Sequence, residues 1–87
     1  MAGVEFTAMD FALLRQLYAF REEQPEGLTP AELQPLVQKQ FPESDHVEMR
    51  EGISITRLRG RGLVEDSTEG RVRLTAEGAA LAAGLET

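Results

Sequence analysis

Eighty-seven residues with no cysteine, carrying 15 acidic against 9 basic side chains for a formal charge of −6, fit one small domain spanning 1–87, without disulfides or thiolate chemistry. No apolar run is long enough to cross a membrane, and the opening MAGVEFTAMD lacks the basic-then-apolar order of a signal peptide, so a cytoplasmic protein is expected. The overall charge opposes indiscriminate affinity for nucleic acid, because phosphate binding rests on lysine and arginine.

The first helix opens at Thr7, with Asp10 at the matching position of a capping box and Phe6 placed to pack on Phe11. It is predicted to run to about Glu23, with Leu14, Leu17, Tyr18 and either Phe11 or Leu13 facing the core, and Gln24-Pro25-Glu26-Gly27 ends it. The aromatic side chains Phe11, Tyr18 and Phe20 read as core rather than as a base-stacking platform. Leu28-Thr29-Pro30-Ala31-Glu32-Leu33 starts the second helix, with Thr29 as cap, Pro30 at the first helical position, Glu32 closing a second box and Leu28 packing on Leu33. Leu33, Leu36 and Val37 form its inward face, and Pro35 removes a backbone hydrogen bond and should kink or loosen it. Phe41-Pro42 calls for extended backbone before the connection Glu43-Ser44.

The third helix covers about 45–61, with Asp45 and Glu48 spaced for a capping box and a stop near Gly60 to Gly62. Val47, Ile55 and Leu58 share one sector, the predicted buried face. Arg50, Ser54, Arg57 and Arg61 form a second stripe. It is either a phosphate- and guanine-reaching surface or a solvated face with pairs inside the helix. Met49 and Ile53 lie opposite, as exposed anchors or as a second covered face. Leu63-Val64 begins a strand, Ser67 to Gly70 is turn chemistry, and Arg71-Val72-Arg73-Leu74 alternates as the returning strand, giving a hairpin over about 63–74. Thr75 caps a last helix through Leu85. Its Leu81 and Leu85 stand among alanines and glycines that suit packing on the first helix or on a second copy of the chain. The expected fold is mainly α with a small β-hairpin, ordered α-α-α-β-β-α, a helix-turn-helix with a wing.

The segments L-T-P-A-E-L at 28–33, R-L-R-G-R-G-L-V-E at 57–65 and R-V-R-L-T-A-E-G at 71–78 together resemble the winged helix-turn-helix domains of bacterial MarR-like and PadR-like regulators. The resemblance implies a third helix in the DNA major groove and a wing on the backbone or minor groove. It carries base or phosphate contacts to Arg50, Ser54 and Arg57, places Arg61 at the helix end, and assigns wing contacts to Arg71 and Arg73.

Two functions follow from these features. One is a small DNA-binding transcriptional regulator, a possible homodimer, supported by the arginines: residues 1–49 hold three basic and nine acidic side chains, whereas residues 50–87 hold six arginines and six acidic ones. The other is an acidic winged-helix module that binds a protein partner or imitates DNA for it, using the acidic half or Met49, Ile53, Leu81 and Leu85. Enzyme chemistry is not expected, since the lone His46 lacks partners for a metal site or a triad, and no cofactor or metal is implied. The initial Met1 and the absence of a linker suggest a complete protein.

Overall fold

In the computed structural model, which describes residues 6–85, helix α1 (Ala8–Ala19) starts where the sequence places it. The Thr7 hydroxyl accepts from the Asp10 N–H at 3.1 Å, and the Thr7 N–H donates to Asp10 Oδ2 at 3.0 Å. The Phe6 and Phe11 rings stand 5.4 Å apart. The helix stops at Ala19 rather than near Glu23. Beyond it Arg21, Glu22 and Glu23 are all exposed, so no burial extends the helix, and Arg21 instead folds back, donating to the Tyr18 carbonyl at 2.7 Å. Met9, Ala12, Leu13, Leu14 and Leu17 are buried, while Phe11, Tyr18 and Phe20 are half-buried against the core.

Helix α2 (Pro30–Gln38) carries the second capping box, with Thr29 N–H to Glu32 Oε1 at 2.9 Å and Glu32 N–H to Thr29 Oγ1 at 3.1 Å. Leu28 and Leu33 are both buried. The helix runs through Pro35, which is exposed. The expected loss of one hydrogen bond is therefore met on the solvent side, where water can satisfy the freed carbonyl.

Helix α3 (Val47–Gly60) begins later than the Asp45 box requires. Its cap residue is His46, which makes no side-chain cap bond, so Glu48 falls one place short of the position that reaches back to the cap and the expected box does not form. Val47, the first helical residue, is buried. The far end closes as a Schellman motif: Gly62 adopts φ 76°, its N–H donates to the Arg59 carbonyl at 3.1 Å and the Leu63 N–H to the Leu58 carbonyl at 3.0 Å.

Strands β1 (Val64–Asp66) and β2 (Val72–Leu74) pair antiparallel with Val64 opposite Leu74 and Asp66 opposite Val72. A 3₁₀ turn at Thr68–Gly70 joins them, with Glu69 at φ 56° and Gly70 at φ 74°. A feature absent from the sequence reading is a bridge from the front of α2 to this hairpin. Leu28 N–H donates to the Val72 carbonyl at 3.0 Å and Val72 N–H to the Leu28 carbonyl at 2.9 Å. Gly27, at φ 92°, makes this approach possible, since a Cβ there would lie 1.8 Å from the Val72 oxygen.

Helix α4 (Ala76–Leu85) is capped by Thr75, whose Oγ1 accepts from the Gly78 N–H at 3.1 Å, and it packs on α1 and β2. The described chain is thus mainly helical, four helices with one two-stranded hairpin, and α1 touches the other three helices and β2. Among the described residues no helix is long and apolar enough to cross a membrane.

Candidate interaction surface on the third helix

The arginines of the predicted stripe do not share one role. Arg57 reaches across to α1, where its Nε donates to Asp10 Oδ2 at 3.2 Å and its Nη2 to Asp10 Oδ1 at 3.0 Å. Asp10 is fully buried. Burial alone would raise its carboxyl pKa, but hydrogen bonds from Arg57, the Ser54 hydroxyl and the Thr7 N–H, with the guanidinium charge, hold it below the ordinary carboxylate value. Ser54 is buried at this node rather than displayed, at 1% exposure. One carboxylate therefore closes the capping box of α1 and fixes the angle of α3.

Arg50 is exposed, with Nη1 3.2 Å from the Ser44 hydroxyl and its guanidinium 5.5 Å from the Phe41 ring centre. Arg61 is also exposed and lies over Phe6 at 5.1 Å. On the hairpin, Arg71 pairs with Glu32 at 2.9 Å, and Arg73 with Glu65 at 2.8 Å and Glu26 at 3.1 Å. The Glu32 and Glu26 pairs tie the β2 arm of the hairpin to α2 and to the loop before it, and the Glu65 pair joins the two strands. Arg59, which the sequence reading did not single out, pairs with Asp66 at 3.0 Å.

The outward face of α3 has a different character. Met49 is 59% exposed and Ile53 54%, neighbours at i and i+4, with Gly52 between them. They are exposed and do not form a second covered face. Clefts open on both sides of this ridge. One of about 120 Å³ lies toward α1, between Thr7, Met9, Arg50 and Arg57. A larger one of about 460 Å³ lies toward α2, with Pro30, Ala31, Gln34, Glu51, Ile55 and Arg59 among its walls. Leu81 and Leu85, the other nominated apolar residues, are half-buried on α4 against the core.

Glu51, expected on a solvated face in pairs with its helix neighbours, is instead buried. It is 2% exposed, its Oε2 has no hydrogen-bond partner among the described residues, and burial, with the nearby Glu48 charge, pushes its carboxyl up to about 7. The signal was present in the spacing: Glu51 stands four residues from both Val47 and Ile55, on the stripe that faces inward. His46 is exposed, and no group of three or more metal-ligating side chains occurs among the described residues. Comparison with protein-family models gives no match, and comparison with curated proteins and with solved structures gives none either.

Proposed function

We propose that the chain is a winged-helix interaction module whose third helix docks on a protein partner bearing an apolar patch rimmed by basic side chains. The exposed Met49–Ile53 ridge carries this reading, because two large apolar side chains on one helix face lose water-exposed area only when something covers them. Methionine suits such a surface through its flexible, polarisable side chain. Gly52 lets the partner approach the helix backbone between the two anchors, since no atom of the chain fills the space beside it. Charge supports a basic partner. The chain carries −6, and the exposed Asp45 and Glu48 border the ridge at its N-terminal end.

A second reading is DNA binding in the manner of the MarR-like and PadR-like resemblance. The observation favouring it is Arg50, exposed on α3, beside solvent-screened pairs of Arg59, Arg71 and Arg73 that hold their partners weakly and are exchangeable for phosphates. Arg57 is poorly placed for that exchange, because leaving Asp10 would strand a buried charge.

One pair of experiments separates the two readings. Affinity capture with wild-type protein and with a Met49→Ser/Ile53→Ser variant is expected to yield a protein that the variant loses and that an Arg50→Ala/Arg59→Ala variant keeps. Fluorescence anisotropy against a mixed pool of duplex DNA at low salt is expected to show no binding. Tight DNA binding that weakens with salt and with loss of Arg50 would overturn the first reading in favour of the second.

A further inference from the structure

The cleft between α2 and α3 has a built interior that the docking ridge does not explain. A carboxylate excluded from water normally has its oxygens satisfied, since burying a charged group without a partner is costly. Here Glu51, 98% removed from solvent by its 2% exposure, lines the cleft with Oε2 unpartnered among the described residues. The opening of about 460 Å³ falls within the range of small-ligand sites.

The surrounding chemistry narrows the occupant. Polar groups on the wall include Thr56, whose hydroxyl proton is engaged with the Gly52 carbonyl at 3.0 Å and whose oxygen remains an acceptor, and the carboxylate of Glu48. Arg59, the cation on this wall, is occupied by Asp66 at 3.0 Å. Pro30, Ala31 and Ile55 supply apolar surface. With two carboxylates and no imidazole the set falls short of a metal site, and no group of three or more metal-ligating side chains occurs among the described residues. A compact donor with three N–H bonds and an aliphatic stem matches it.

We propose that the α2–α3 cleft binds a primary alkylammonium group, with the ammonium at Glu51 and the stem along Ile55, Pro30 and Ala31. This site does not need the partner assigned to the Met49–Ile53 ridge, although Glu48 and Gly52 border both. Binding also draws a proton from Glu51, whose carboxyl sits at about 7, while the ammonium stays charged throughout the neutral range. The charged groups lining the cleft besides Glu51 are Glu48 and Arg59, both on α3, whereas α2 contributes uncharged Pro30, Ala31 and Gln34.

The test is a ¹H–¹⁵N NMR titration of the full chain with n-butylamine, 1-butanol and Nα-acetyl-lysine N-methylamide. Butylammonium is expected to shift the amides of Gln34, Glu51, Gly52 and Thr56 saturably, at least tenfold more tightly than butanol and about tenfold more tightly at pH 8 than at pH 6. Glu51→Gln should weaken it at least tenfold. Gly52→Leu, which keeps Glu51 but fills the mouth of the cleft where nothing lies within 4 Å of an added Cβ, should abolish it. Equal binding of the lysine derivative assigns a partner's lysine as the source, and binding of butylamine alone assigns a free amine. No saturable shift, equal binding of butanol, or undiminished binding by Glu51→Gln would overturn the proposal.

Discussion

Asp10 is the side chain on which two elements depend, since it closes the α1 cap and holds Arg57 of α3. Replacing Arg57 by alanine leaves a buried, uncompensated carboxylate, so the expected loss is about 2 to 3 kcal/mol in urea unfolding. Arg57→Lys should lose less, as a single ammonium keeps the charge but not both hydrogen bonds. A loss below about 0.5 kcal/mol for Arg57→Ala would show the pair to be incidental. The same residue illustrates what sequence reasoning can see. Helical spacing placed Arg57 correctly beside Arg50 and Arg61, but spacing gives a direction from the helix axis and not what stands there. An acidic residue 47 positions away in the chain took the guanidinium.

At the scale of elements, the boundaries that followed the sequence are those set by neighbours in the chain. Thr7 with Asp10 and Thr29 with Glu32 are three residues apart, so each box forms wherever the backbone turns. The α3 start departed from its box, which offered only a cap bond worth about 1 kcal/mol, and the helix begins at Val47 with His46 as its cap residue. Glycines mark the long-range joins. A Cβ on Gly78 would lie 1.9 Å from the Leu63 carbonyl oxygen, where α4 crosses the end of α3 and the start of β1. Gly78→Ala should therefore destabilise by several kcal/mol, about 3 or more, despite alanine's better helix propensity, whereas Gly84→Ala, with open space around it, should be neutral or stabilising. Thermal unfolding by circular dichroism compares the two. Similar shifts for both would mean that α4 does not approach Leu63 this closely.

For the whole molecule, two buried carboxylates set opposite pH responses. Asp10, held below its ordinary value, contributes stability that is present above 3.8 and is lost as pH falls through its folded pKa. Glu51, raised from 4.5 to about 7, is protonated in both states at low pH. Between these values the unfolded chain ionises first, so stability falls by up to about 1.4 kcal/mol per pH unit and levels off above 7. The joint contribution of these two groups should therefore be greatest near pH 4 to 5, and Glu51→Gln should flatten the decline toward pH 8 in urea titrations. An unchanged slope in that variant would place the pH dependence elsewhere. The sequence by itself determined the element order, three of the helix caps, the glycine stop of α3 and the apolar faces, because these depend on residues within about four positions of one another. Only the tertiary structure decided that Leu28 joins the hairpin, that Arg57 belongs to Asp10, that Glu51 Oε2 is buried without a partner among the described residues and that Met49 and Ile53 stay exposed. Each of those depends on which distant segment arrives at a given face, and packing of α1 against α2, α3 and α4 settles it.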